Sequence, residues 1–114
     1  MKCKLLSVVT LIVLLVAPVS ATTIHIPEDY PTIQEGVDAA TDGDEIIVGN
    51  GTYYENIVVN DKSIILKSEN GSSYTFIHNS NRIIQINPNG GSSSTFTLEG
   101  FTLNDSYSAI EVSQ

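Results

Sequence analysis

Few side chains in this 114-residue chain are of types that do chemistry, and their spacing narrows what they can do. The two histidines, His25 and His78, have no serine, cysteine or second histidine at the spacing of a zinc site or a nucleophilic triad. Each reads as an ordinary turn or surface residue. The sole arginine, Arg82, has no stacked carboxylate set around it. Asp42, Asp44 and Glu45 are close in sequence, but calcium takes about six to eight oxygens. Three carboxylates in one place read better as a solvated, helix-terminating turn. No cofactor is expected, calcium being the one cation that such acidic turns could attract. Sequons stand at Asn50 (Asn-Gly-Thr), Asn70 (Asn-Gly-Ser) and Asn104 (Asn-Asp-Ser), and an exported chain can be glycosylated at such sites. Asn-Gly is also what a tight turn requires, and stacked Asn suits the corners of a repeating β structure. Tyr54, Tyr74 and Tyr107 lie near turns, where exposed rings could stack on the apolar face of a pyranose. These three are the candidate carbohydrate contacts. No residue is assigned to catalysis, to a cofactor or to a metal.

The elements that would position these residues begin after a targeting signal. Lys2 and Lys4 precede an apolar run from Leu5 to Val16, then Pro18 and the small-residue stretch Val19-Ser20-Ala21. The run is about a dozen residues, short of the roughly 20 that span a bilayer, so residues 1–21 read as a cleaved signal peptide. Cys3 leaves with it, and the remaining chain can form no disulfide even in an oxidising compartment. Lys2 and Lys4 leave as well, which moves the net charge from −8 to −10. Such a surface repels phosphate backbones and anionic headgroups, which argues against nucleic acid as partner. The expected location is secreted, extracellular or cell-surface, or periplasmic in a two-membrane bacterium, with no membrane span after cleavage.

The signal-free chain, being small, needs an efficient core. Thr22 to Ile26 alternates like a short strand. In the next segment Ile33, Gly36, Val37 and Ala40 share one helical face, Thr32 and Glu35 have capping-box spacing, and Gly43 suits the C-terminal side. From Glu45 onward the period is two. Short β-branched or aromatic segments are bounded by Asn, Asp, Gly or Ser: 46–48, 57–59, 64–66, 75–77, 83–86, 96–98, 101–103 and 109–112. The pairs Ile46/Val48, Ile64/Leu66, Ile84/Ile86 and Phe101/Leu103 recur at advances of 18, 20 and 17 residues. Ile57/Val59, Thr75/Ile77 and Phe96/Leu98 form a second series, advancing by 18 and then 21. Interleaved repeats predict parallel coils, each climbing about 4.8 Å and stacking equivalent residues into ladders. The amphipathic helix would cover the exposed end of the first coil.

At this point the residues carry a resemblance. The run from Ile26 to Ala40 (IPEDYPTIQEGVDAA), continued by Asp42 to Val48 and Gly51 to Ile57, resembles the opening of the pectin-lyase-like superfamily. Leu98 to Leu103 is similar to the coil motif of the same group. The resemblance implies an all-β fold, a right-handed parallel β-helix (solenoid) with a short N-terminal capping helix. The implied layout is a signal peptide at 1–21, a leading strand and capping helix at 22–44, and first coils at 45–114, with further coils beyond Gln114. Gly51, Tyr53 and Glu55 match the Gly-x-Tyr-x-Glu element of pectin methylesterases, which secreted repeat proteins also carry. A structural role is expected: Gly51 permits a tight turn, Tyr53 fills the coil interior, and Glu55 bonds backbone donors in the next turn.

The functional expectation is a non-catalytic module for carbohydrate or surface contact in a secreted or cell-surface protein. Its partner would be a polysaccharide or a cell-surface glycan; the oligomeric state is left open. The alternative is the N-terminal fragment of a polysaccharide-active esterase or lyase whose catalytic coils follow Gln114. The aspartates, arginine and oxyanion-stabilising glutamines that the esterase branch uses have no flanking motifs in these residues.

Overall fold

The computed structural model describes residues 20–89, 93–105 and 108–112. Nearly all of the signal segment, and Tyr107, lie outside them. The chain runs β1 (Thr23–Ile26), α1 (Ile33–Ala39), β2 (Glu45–Val48), β3 (Gly51–Tyr53), β4 (Ile57–Asn60), β5 (Ile64–Ser68), β6 (Thr75–Asn79), β7 (Arg82–Asn87), β8 (Phe96–Glu99), β9 (Thr102–Asp105) and β10 (Ser108–Val112). The described fold is all-β but for one short helix.

The strands form three sheets, β1-β2-β5-β8, β3-β6-β9 and β4-β7-β10. Every pairing among them is parallel. From β2 to β10 the chain visits the three sheets in fixed rotation, so each strand lies beside the one three places earlier. Parallel neighbours cannot be joined by tight hairpins, and here the other two sheets supply the return path. β1 also joins this arrangement, with Thr23 opposite Glu45.

Register stacks the apolar positions. Ile24, Ile46, Leu66 and Leu98 form one ladder, and Ile57 and Ile84 stand in another. Ile46, Leu66, Ile57 and Ile84 have no exposed surface. Burying each such side chain contributes about 1.5–3 kcal/mol, and together they make one core without a disulfide.

The pairing corrects the expected spacing. Glu45 meets Ile65, an advance of 20, but Gly51 meets Thr75 after 24 and Ile57 meets Ile84 after 27. Between β5 and β8 the advance is 32, from Ile64 to Phe96. The series drawn from sequence mixed sheets: Ile46 and Ile84 lie in different ones, as do Ile57 and Thr75. Corners of unequal length break any fixed period, whereas ladder register tolerates them because each sheet aligns locally. A second correction concerns 51–53, expected as a turn. Gly51 opens β3 with φ of +149°, a conformation that L side chains rarely adopt.

The helix lies across the first strands, packing on β4, β1 and β2. Its buried side, Ile33, Gly36 and Val37, is the face expected from sequence. A Cβ at Gly36 would stand 2.8 Å from Cδ1 of Ile26, so glycine permits the close approach to β1. Thr32 caps the helix, its hydroxyl accepting from Glu35 N–H at 3.2 Å and donating to the Glu35 carboxylate at 3.0 Å.

Candidate functional site

Strand alternation determines which residues the β3-β6-β9 sheet presents outward. Tyr53, Ile77 and Leu103 are stacked, and Ile77 is fully buried, so this row faces the core. The next residues, Tyr54, His78 and Asn104, therefore point away from it, and all three are exposed. Thr52, Phe76 and Thr102 form a second outward row. Tyr74 lies in the turn before β6, its backbone carbonyl accepting from Gly51 N–H at 2.9 Å.

Tyr54 is 76% exposed and Tyr74 57%. The Tyr54 ring meets His78 edge to face, with centroids 5.5 Å apart and planes at 77°. Beside them is a shallow cleft of about 270 Å³ lined by Tyr54, His78, Asn79 and Ser80. The face thus offers an aromatic plane with an imidazole, an amide and a hydroxyl beside it. Such a surface can stack on apolar ring faces and hydrogen-bond hydroxyls. The sequence located Tyr54 and Tyr74 but missed His78 and Phe76, since the partner of Tyr54 lies 24 residues away.

Gly51, Tyr53 and Glu55 are engaged within the fold. The Tyr53 hydroxyl donates to Gly49 O at 3.0 Å, and burial pushes its pKa up, helped by Glu55 and Glu28. The Glu55 carboxylate accepts from Ile33 N–H and Gln34 N–H, both at 3.0 Å. These donors belong to the first turn of α1, not to the following coil as expected. A carboxylate there satisfies orphan N–H groups and meets the positive end of the helix.

Further side chains complete the attachment of α1. Gln34 accepts from Val58 N–H at 2.7 Å and donates to Val58 O at 3.1 Å, satisfying both backbone groups of an outer strand. Lys62 donates to Val37 O and Asp38 O, both at 2.9 Å, at the other end of the helix.

The acidic turn also needs correction. Asp44 is buried, not solvated: it accepts from Thr22 N–H and Thr41 N–H at 2.8 Å and from the Thr41 hydroxyl at 3.1 Å. The backbone bonds from Thr41 and then Thr22 hold its pKa below the ordinary carboxylate value, outweighing desolvation. Asp42 accepts from Ser63 N–H at 2.8 Å. Asp44 thus ties Thr22, the residue before β1, to its own turn. Arg82 is ion-paired with Glu111 on the neighbouring strand, a partner the sequence did not indicate. Among the described residues no three His, Cys, Asp or Glu side chains converge as a metal site, and no helix is long and apolar enough to cross a membrane.

No family model matches the chain, and no solved structure matches it. A curated relative from Methanothermus fervidus, named "Cell surface glycoprotein", is 38% identical over 76 residues, covering 65% of this chain. The match takes in 12% of that relative's length.

Proposed function

We propose that this chain is a coil segment of a secreted or cell-surface protein, folded as a right-handed parallel β-helix of the pectin-lyase-like kind. It serves as a non-catalytic module that binds polysaccharide or cell-surface glycan on the outer β3-β6-β9 face. Fixed rotation through three parallel sheets supports the coil, and crossovers between parallel strands are right-handed in about 98% of cases. The signal-like N-terminus and similarity to a protein named for the cell surface support the location. The observation that carries the binding role is the exposed Tyr54 ring with His78 against it on the β3-β6-β9 face, together with the exposed Tyr74 of the turn before β6.

The test is a glycan array probed with the exported chain, followed by Tyr54→Ala and Tyr74→Ala. Binding that weakens about tenfold for each change, a loss of roughly 1.4 kcal/mol, is the expected result. Binding that survives the double change unaltered rejects this face as the site; adding Tyr107→Ala then shows whether the third ring carries it.

A further inference from the structure

We propose that the glycan taken by the β3-β6-β9 face is electrically neutral, a pyranose polymer without carboxylate, sulfate or phosphate. The inference rests on the reading of this face as a glycan site and names its substrate class. The chain is acidic, with 13 Asp and Glu against five Lys and Arg. Its three outer faces do not share that charge equally.

On β1-β2-β5-β8, register sets Ile46, Leu66 and Leu98 on the core row. Glu45 and the stacked pair Lys67 and Glu99 therefore fall on the outward rows. On β4-β7-β10 the outward row of Val58, Gln85 and Glu111 carries a carboxylate, ion-paired with Arg82. The β3-β6-β9 sheet differs. Its outward rows, Thr52 with Phe76 and Thr102 and Tyr54 with His78 and Asn104, hold no Lys, Arg, Asp or Glu. Asp105, the charged residue of these strands, falls on the alternate register row with Leu103. The carboxylate of Glu55, next to Tyr54, is bound to the Ile33 and Gln34 N–H groups of α1.

An anionic sugar leaving water must recover its lost hydration from charge-assisted donors, above all Arg or Lys. These outward rows offer neither. The acidic surroundings add repulsion that reaches about 8 Å, the Debye length at physiological salt. A neutral sugar meets neither cost. Its hydroxyls both donate and accept, which matches the imidazole, amide and hydroxyl of His78, Asn79 and Ser80 in the cleft. Its apolar ring face can lie on the exposed Tyr54 ring.

The experiment titrates the full exported chain with soluble glucan, mannan and galactan, each paired with its C6-carboxyl form. It is run at about pH 8, where histidine side chains are ordinarily neutral. At least one neutral polymer should bind about tenfold more tightly than its carboxyl partner and lose that binding in Tyr54→Ala. Raising salt from about 0.05 to 0.5 M should change neutral binding less than about twofold while narrowing the gap, since screening removes the repulsion. Thr52→Lys, which places a cation on the outward row, should strengthen binding of the carboxyl form by about fivefold. Tyr54-dependent binding of a carboxyl form as tight as, or tighter than, its neutral partner overturns the neutral class and leaves the face as a glycan site. The absence of any Tyr54-dependent binding across the panel overturns both.

Discussion

The first and last strands of this molecule are built from the same kinds of side chain but differ sharply in burial. In β1, β2 and β4, Ile26, Ile46, Val48, Ile57 and Val59 are at most 1% exposed. Across the sheets, Val112 of β10 continues the ladder of Val59 and Ile86 yet is 56% exposed, and Leu98 of β8 continues that of Ile46 and Leu66 yet is half-buried. Residue type does not explain the difference. What is packed on them among the described residues does: α1 covers the first strands with Ile33 and Val37, bound there by Glu55, Gln34 and Lys62, whereas no described element covers β8 and β10 in the same way. A ladder position is worth what is stacked on both sides of it.

The comparison breaks most completely if the cover is made polar. Ile33→Asp with Val37→Asp puts two carboxylates against the core. Each costs several kcal/mol, together comparable to a typical whole stability of about 5–15 kcal/mol. Loss of folded, soluble product, read by secretion yield and circular dichroism, is expected. Equivalent truncations at the two ends come next. Ile46→Ala should cost about 3 kcal/mol in urea unfolding, whereas Val112→Ala should cost about 0.5 kcal/mol. Equal costs would mean that the exposure difference has no energetic content. Glu55→Ala removes only the tie at the start of α1 and should cost about 1–2 kcal/mol by the same measurement.

The smallest effect is conditional on pH. Because the folded state holds the Asp44 pKa below its unfolded value, the unfolded chain binds the proton first as pH falls. Asp44 therefore contributes its full stabilisation above the ordinary Asp pKa near 3.8 and loses it progressively below that value. Urea midpoints between pH 6 and pH 2, a range around the ordinary carboxylate values, should fall more steeply for the wild type than for Asp44→Asn. Parallel curves would contradict this role.

Much of this frame was legible in the sequence. Alternation exposed most of the strands because buried and exposed positions differ in kind, and the helix showed its buried face through Ile33, Gly36 and Val37. β3 was not legible: it is three residues long and begins with glycine, leaving no alternation to read. The ladder partners were misassigned because corners vary, and an advance of 20 in one place becomes 32 in another. Asp44 looks like any acidic residue after a helix, since its donors come partly from Thr22, a distant residue. The same holds for the site. Tyr54 and Tyr74 were visible as tyrosines near turns, but the contact with His78 exists only through the register that sets Tyr53 beside Ile77.

That register is the central claim, and backbone nuclear Overhauser contacts in an isotope-labelled sample test it most directly. The account predicts parallel-type cross-strand contacts linking the 46/66, 66/98 and 57/84 pairs, together with the 53/77 pair that sets the tyrosine face. Antiparallel contacts within any of these pairs, or Ile46 remote from Leu66, would contradict it.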